Sequence, residues 1–279
     1  MKILITGING QVGLALMKQL SENDLIGLTR KECNLTKQDQ IEKVIDYHQP
    51  DLIINAAAYT KVDLAEDDPE IAFKINSDAP KCMAKKAREY KIPFIHFSTD
   101  YVFDGKKEGV YYENDETNPL GVYGLSKLAG ERAIQNIGGQ IYIFRTSWVY
   151  SKVGQNFFLT IERLIRKQKE LRIVSDQFGV PTSSNFIANQ IKKIIFKLAP
   201  NNAGIYHLVP DGKCSWYEFA KEIIKNKNST FDVNKIVPIH SDQYFTKAKR
   251  PKNSVLDNSH IKISFMLRFD DWKTELLKL

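Results

Sequence analysis

The chain has 279 residues, of which 43% are hydrophobic and 26% charged, as in an ordinary globular protein. This length suits one large α/β domain or a main domain with a smaller lobe, and no apolar run is long enough to cross a membrane. The net charge of +7 comes from basic residues spread along the sequence without a dense block. We therefore expect no nucleic-acid partner, and an anionic small substrate fits the excess charge equally well.

The first 150 residues alternate between strand and helix patterns. Short apolar runs, typical of strands buried on both faces, lie at 2–6, 24–28, 51–55, 92–97 and 141–144. Helical spacing predicts helices over 11–20, 37–47, 69–90 and 122–135, and Pro80 should kink the third of these. This order predicts an α/β fold with a Rossmann-like, doubly wound parallel sheet, whose ligand crevice lies at the carboxyl ends of the strands.

The alternation weakens after about residue 150. Helix patterns lie near 155–169, 184–198, 215–226 and 270–278, with short strand-like pieces between them. We therefore expect an NAD(P)-binding domain over residues 1–150 and a smaller C-terminal, mainly substrate-binding lobe over residues 151–279. Some segments of that lobe should return to the first domain.

A glycine-rich stretch, "TGINGQVG" (6–13), follows the first predicted strand and opens the first helix. Gly7, Gly10 and Gly13 would permit a tight turn and let the backbone approach a pyrophosphate closely. The N–H groups and the dipole of the helix N-terminus would face that pyrophosphate. The stretch therefore predicts a dinucleotide site, and the alternative is an ordinary strand–helix turn.

The end of the second predicted strand should select the cofactor. An acidic residue there would bind the adenosine ribose of NAD, but "GLTRKE" places Leu28, Thr29 and Arg30 at that point. A hydroxyl and a guanidinium suit a 2′-phosphate, which favours NADPH. The alternative is that Arg30 is only a surface residue and that NADH is also accepted.

Two further clusters should meet at the crevice. "FSTDYVFDG" (97–105) follows the fourth strand, and there the Thr99 hydroxyl would touch a substrate oxygen or simply cap a turn. Tyr123 and Lys127 share a face of the 122–135 helix, while Leu125, Leu128, Ala129 and Ala133 should face the core. A free tyrosine has a pKa near ~10, and a nearby ammonium would lower it toward neutral pH. Alone, this pair is a chance spacing; after a glycine loop and "STD" it predicts a proton-transfer site.

Cysteines and histidines give no sign of a metal site. Cys33, Cys82 and Cys214 lie far apart, and the five histidines are scattered without a Cys/His cluster. The opening "MKILITG" has too short an apolar run for a signal peptide, so we interpret it as a strand. These features predict reduced thiols in a cytoplasmic protein.

Seven blocks of the sequence carry a family resemblance. They are "GINGQVG", "NAAAYTKVDLAE" (55–66), "STDYVFDG" (98–105), "VYGLSKLAGE" (122–131), "FRTSWVY" (144–150), "DQFGVPT" (176–182) and "RPKNSVLD" (250–257). In order and spacing they resemble the dTDP-4-dehydrorhamnose reductase family of the extended short-chain dehydrogenase/reductase superfamily. The resemblance covers nearly the whole chain, and the "STDYVF", "RTSWVY" and "DQxGxPT" blocks are far more specific than the glycine loop.

This resemblance implies reduction of the 4-keto group of a dTDP-linked 6-deoxyhexulose. Tyr123 would donate the proton, Lys127 would tune Tyr123 and bind the nicotinamide ribose, and Thr99 would assist at the substrate oxygen. Asp100 and Trp148 would contact the dTDP-sugar. Arg250, whose match to the family is weaker, would contact the diphosphate of that substrate. The remaining cofactor contacts implied are Gly10, Gln11, Val12, Asn34, Leu35, Ala58, Tyr59, Thr60 and Phe97.

Several points depart from the family pattern or stay open. Some members hold magnesium with glutamates whose matching positions here are Ala15 and Asn185, so we expect no magnesium. Thr29 and Asn34 replace acids common in the family, which leaves the preference between NADPH and NADH open. We expect a monomer or weak homodimer. Two alternatives are another nucleotide-sugar 4-ketoreductase and a non-catalytic subunit similar to the regulatory subunit of methionine adenosyltransferase; retention of Thr99, Tyr123 and Lys127 opposes the second.

Overall fold

The computed structural model describes residues 1–227 and 231–279. Its strands are β1 (Lys2–Thr6), β2 (Asp24–Leu28), β3 (Leu52–Asn55), β4 (Phe94–Thr99), β5 (Ile141–Thr146), β6 (Val149–Tyr150), β7 (Leu171–Val174), β8 (Phe178–Gly179), β9 (Thr182–Ser183), β10 (Gly204–His207), β11 (Cys214–Ser215) and β12 (Ile236–Ile239). Its helices are α1 (Gln11–Gln19), α2 (Gln38–His48), α3 (Val62–Ala65), α4 (Pro69–Phe73), α5 (Ala79–Tyr90), α6 (Val122–Ile137), α7 (Phe157–Ile165), α8 (Ser184–Ile194), α9 (Trp216–Asn226), α10 (Ser259–Ser264) and α11 (Trp272–Leu277). Within these residues, no helix combines the length and apolarity that a membrane crossing needs.

Six strands form one parallel sheet in the order β2–β1–β3–β4–β5–β10. The predicted doubly wound parallel sheet is therefore confirmed. The chain order reverses between β1 and β3, where a crevice opens outside the carboxyl ends of the strands. β10 comes from the C-terminal half of the chain, so that half does contribute a strand to the main sheet.

The strands are buried because helices cover both faces of the sheet. Along β1, Ile3 and Ile5 pack in one hydrophobic cluster with α1, α8 and α10, whereas Leu4 packs in the opposite cluster with α2 and α5. This alternation follows the two-residue period of a strand. A third cluster, which includes Phe219 and Trp272, forms the core of the C-terminal lobe.

The helix predicted over 69–90 is interrupted. A π-helical segment, Lys74–Asp78, separates α4 from α5, and Pro80 occupies the first turn of α5. Proline has no N–H to donate to the carbonyl four residues earlier, so the ordinary helical pattern cannot continue there. The break predicted at Pro80 therefore takes the form of this wider turn. Its Asn76 side chain bonds both backbone groups of Tyr59 and the Ser126 hydroxyl, which ties the β3 loop to α6.

Candidate active site

The glycine loop is packed too tightly for side chains. Gly7 has φ +71°, and a Cβ there would lie 2.7 Å from the Ala57 backbone. A Cβ on Gly13 would lie 2.2 Å from the Gly7 carbonyl oxygen, so Gly13 supports the loop from behind. α1 starts at Gln11 without a side-chain cap, which leaves its first N–H groups directed to the crevice. The loop thus offers the cradle that a pyrophosphate requires.

Two adjoining cavities, of about 380 and about 490 Å³, extend along the carboxyl edge of the sheet from this loop. The predicted residues that line one or both are Gly7, Gly10, Gln11, Val12, Thr29, Arg30, Asn34, Leu35, Ala58, Tyr59, Thr60, Phe97, Thr99, Asp100, Tyr123, Lys127 and Trp148. Gly13 and Arg250 line neither cavity. Arg250 pairs with Asp63 at 2.9 Å.

An exposed acid that the sequence prediction missed lies beside Thr29, which lines the smaller cavity. The Glu32 carboxylate accepts the Thr29 amide at 2.9 Å and also the Thr29 hydroxyl, and these hydrogen bonds lower the pKa of Glu32. Thr29 is therefore engaged within its own turn, while Arg30 is exposed. The negative charge of Glu32 therefore lies four residues after β2 and close in sequence to Arg30, the cation that we expected at this point.

The hydrogen-bond contacts of Lys127 are with β4 rather than with Tyr123. The lysine side chain is 1% exposed, its Nζ donates to the Phe97 carbonyl at 2.6 Å, and Nζ lies 3.1 Å from His96 Nε2. Burial lowers the pKa of Lys127 to about 8, although Glu131 opposes the shift. Burial also raises the pKa of Tyr123 to about 12, against a smaller lowering by Thr99. The expected lowering of the Tyr123 pKa by the lysine is thus wrong for the ligand-free protein, because the low-dielectric surroundings dominate.

Several polar atoms around Tyr123 lack a protein partner. Thr99 donates to Asp100 Oδ1 at 3.0 Å and accepts the Tyr101 amide, so it also caps the turn, as the simpler interpretation proposed. Asp100 is buried, and burial raises its pKa to about 7. Asp100 Oδ2, Ser98 Oγ and Thr146 Oγ1 are buried and have no hydrogen-bond partner among the described residues. The residues that carry these atoms line the larger cavity.

α6 holds Tyr123 through close backbone packing. The Glu66 carboxylate accepts the Val122 amide at 2.9 Å, which supplies the missing cap of this helix. Added Cβ atoms on Gly124 and Gly130 would lie 2.3 and 2.1 Å from the carbonyl oxygens of Tyr101 and Asn76. Our expectation that Leu125 faces the core is wrong, since Leu125 is 46% exposed. The buried face instead carries the glycines, whose small size permits the contact.

Two tryptophans, Trp148 and Trp216, line the larger cavity. Trp148 has a left-handed φ of +45° and stacks on Trp216 with ring centroids 3.5 Å apart. A Cβ on Gly179 would lie 2.5 Å from the Trp148 ring, so only a glycine fits beside this ring. Trp216 also lines the larger cavity and was missed from the sequence, because only the tertiary fold brings it there.

The sheet, the glycine loop and the helix of Tyr123 together identify a class of protein. A doubly wound sheet with a glycine loop after β1 and a Tyr-x-x-x-Lys helix in one cleft is the organisation of a dinucleotide-binding short-chain dehydrogenase/reductase. The model of the RmlD substrate binding domain family matches residues 1–279. The chain belongs to this family, that of the dTDP-4-dehydrorhamnose reductases, and the resemblance in the sequence is confirmed.

Similar proteins cover the chain from end to end. A dTDP-4-dehydrorhamnose reductase from Burkholderia thailandensis is 39% identical over 98% of this chain and 96% of its own length. The crystal structure of such a reductase from Bacillus anthracis, in complex with NADP, has a TM-score of 0.93 at 33% identity and covers 99% of this chain and 97% of its own. A crystal structure from Clostridium acetobutylicum has a TM-score of 0.94 at 36% identity, with 100% and 98% coverage.

Proposed function

We propose that the protein reduces the 4-keto group of dTDP-4-dehydro-L-rhamnose to give dTDP-L-rhamnose, with NADPH as the reductant. One observation carries the proposal. A single cleft of about 490 Å³ brings Thr99, Tyr123 and Lys127 next to the glycine loop. The names of the relatives, all of them full-length matches, supply the sugar.

In this proposal Tyr123 is the proton donor. Bound NADPH supplies the hydride that is transferred to C4 of the sugar. The Tyr123 phenol, whose pKa burial raises to about 12, stays protonated at neutral pH and can deliver its proton to the developing alkoxide. Thr99 can donate to the same oxygen once it releases Asp100.

The cofactor would extend through both cavities. Gly10, Gln11 and Val12 would receive the pyrophosphate at the uncapped start of α1. Lys127 would bond the nicotinamide ribose, whereas the remaining predicted contacts would surround the adenosine; these are Thr29, Arg30, Asn34, Leu35, Ala58, Tyr59 and Thr60. Arg30 would bind the 2′-phosphate, which favours NADPH over NADH, and Glu32 would work against that preference.

The dTDP-sugar would contact residues of both lobes. We assign residues 1–150 to cofactor binding and residues 151–279 mainly to the substrate. Asp100 offers an unpartnered carboxylate oxygen and Trp148 an aromatic edge in the larger cavity. Arg250, whose Nη1 is buried without a partner, would attract the diphosphate. No role is given to magnesium, since Ala15 and Asn185 provide no carboxylate.

Isotope transfer tests the reaction and the sugar together. NADPH that carries deuterium at the transferable position of its nicotinamide would be incubated with the protein and dTDP-4-dehydro-L-rhamnose. Deuterium at C4 of a product that coelutes with dTDP-L-rhamnose is the expected result. Transfer only to a different nucleotide sugar would contradict the assigned substrate, and no transfer to any sugar while cofactor binds would favour a non-catalytic subunit.

A further inference from the structure

A buried histidine that the proposed chemistry does not use stands behind Lys127. His96 lies on β4 with no exposed surface. Its Nε2 is 3.1 Å from Lys127 Nζ, and its Nδ1 is 3.0 Å from Asn55 Nδ2. Asn55 Oδ1 in turn accepts the Thr6 hydroxyl at 2.6 Å. The chain of contacts thus crosses β1, β3 and β4 and ends at the lysine of α6.

The Asn55 amide fixes which nitrogen of His96 carries the proton. The Ala57 backbone N–H points at Asn55 Oδ1 from 3.2 Å, and a backbone N–H can only donate. The oxygen of the amide therefore faces Ala57, and its NH₂ group faces His96 Nδ1. Because Nδ1 must accept this hydrogen bond, the single proton of a neutral imidazole has to sit on Nε2.

The Nε2 proton then decides the state of Lys127. An N–H of His96 directed at Nζ requires an acceptor, and only the neutral amine of a lysine has a lone pair. Nζ uses one of its own protons toward the Phe97 carbonyl at 2.6 Å, which is compatible with an amine. An ammonium at this position would set two donors against each other.

We propose that His96 is a positioning residue that holds Lys127 as a neutral amine in the ligand-free protein at mildly alkaline pH, so that Lys127 takes up a proton there when the dinucleotide binds. The negative pyrophosphate and the ribose oxygens favour the ammonium form once they enter the cleft. This inference rests on the proposed cofactor and does not depend on the identity of the sugar.

The surrounding charges are consistent with this state. Burial lowers the pKa of Lys127 to about 8, and burial also holds the pKa of His96 well below its usual value. On α6, Glu131 favours the ammonium, but its carboxylate is shared with Arg145 of β5 through contacts of 2.7 to 3.2 Å. The larger cavity that Lys127 lines also contains Tyr123 and Asp100.

Nitrogen NMR of the ligand-free protein tests the first half of the proposal. Protein labelled with ¹⁵N-histidine has five side chains to resolve, and His96→Gln assigns the one of interest. At about pH 8.5 we expect the proton of His96 on Nε2, with Nδ1 unprotonated. A proton on Nδ1 of His96, or on both of its nitrogens, would overturn the proposal.

Calorimetry of NADP⁺ binding tests the second half. Titrations in buffers of different ionisation enthalpy should show uptake of about one proton per site near pH 9 and almost none near pH 6. Asn55→Asp should abolish the uptake, because its carboxylate moves the imidazole proton to Nδ1 and frees Nε2 to accept from an ammonium. His207→Gln is the matched control, since His207 is equally buried but contacts the Asp257 carbonyl and not Lys127, and it should keep the uptake.

The outcomes separate this proposal from the proposed function. Binding of NADP⁺ without proton uptake near pH 9 would refute the protonation of Lys127 and leave the cofactor assignment intact. Unchanged uptake in Asn55→Asp would remove His96 from its role. Failure of NADP⁺ to bind at all would contradict the proposed function, while the NMR result would still judge the state of His96.

Discussion

Individual residues divide the proposed reaction between proton transfer and binding. Burial leaves Tyr123 a neutral phenol and Asp100 an acid with a pKa of about 7, while Lys127 is only weakly basic at about 8. Perturbed groups of this kind cluster where chemistry takes place. The cleft is therefore prepared to donate a proton, which suits a reductase.

Removal of the Tyr123 hydroxyl tests its assigned role. Tyr123→Phe keeps the ring and its edge contact with Tyr101 but removes the proton donor. Turnover should fall by about 10² to 10⁴, because that range is typical of a general acid. NADP⁺ affinity, measured by fluorescence titration, should change little. Turnover that persists near the unaltered level would exclude Tyr123 as the donor.

Arg30 should distinguish the two cofactors. Arg30→Ala should weaken NADPH binding by about tenfold or more and NADH binding little, since a charged hydrogen bond to a 2′-phosphate contributes ~1.5–3 kcal/mol. Dissociation constants for both cofactors give the ratio. Arg166→Ala, at an exposed arginine of the other lobe, is the control and should alter neither. Equal weakening of both cofactors by Arg30→Ala would show that this residue does not bind the 2′-phosphate.

At the scale of elements, the position of α6 depends on glycines that permit backbone contact. Gly130→Ala would place a Cβ 2.1 Å from the Asn76 carbonyl oxygen, so helix and π segment must separate. We expect a loss of about 1–3 kcal/mol in the free energy of unfolding, by analogy with overpacked cores. Urea denaturation measures it. Gly204→Ala is the control, because its Cβ would meet only Tyr206, at 3.9 Å; equal stability of the two variants would contradict the packing argument.

Elements with local sequence signals were predictable, whereas contacts between distant segments were not. Spacing alone predicted the parallel sheet, the glycine loop and the Tyr123–Lys127 helix, because these signals are local. The orientation of Leu125 was predicted wrongly, although Leu128 is buried as predicted, since hydrophobicity does not show that Gly124 and Gly130 also belong to the buried face. The contacts of Lys127 with His96 and of Trp148 with Trp216 join distant segments, and no local pattern carries such information.

For the whole molecule, buried neutral histidines should make the free energy of unfolding fall as the pH is lowered. Burial lowers the pKa of His207 to about 3, whereas the unfolded chain binds that proton near pH 6.5. The unfolded state therefore holds more protons below pH 6.5, and stability is lost as the pH falls. His96 acts in the same direction. Asp100 opposes them between its ordinary pKa of 3.8 and about 7, because the folded state keeps its proton.

Unfolding experiments between about pH 4 and pH 6 measure this slope. His207→Gln should reduce it by about 1.4 kcal/mol per pH unit, the value for one proton. His240→Gln, at a side chain that is 76% exposed, should leave the slope unchanged. An identical slope in the wild-type protein and His207→Gln would mean that His207 is not held neutral.

Nicotinamide absorbance gives the simplest test of the proposed reduction of a dTDP-linked 4-keto sugar with NADPH in this cleft. The purified protein would be mixed with NADPH and dTDP-4-dehydro-L-rhamnose generated in place by the two upstream enzymes. We predict oxidation of NADPH that requires the sugar and disappears in Tyr123→Phe. Stable absorbance in the presence of bound NADPH and intact sugar would contradict the proposed function.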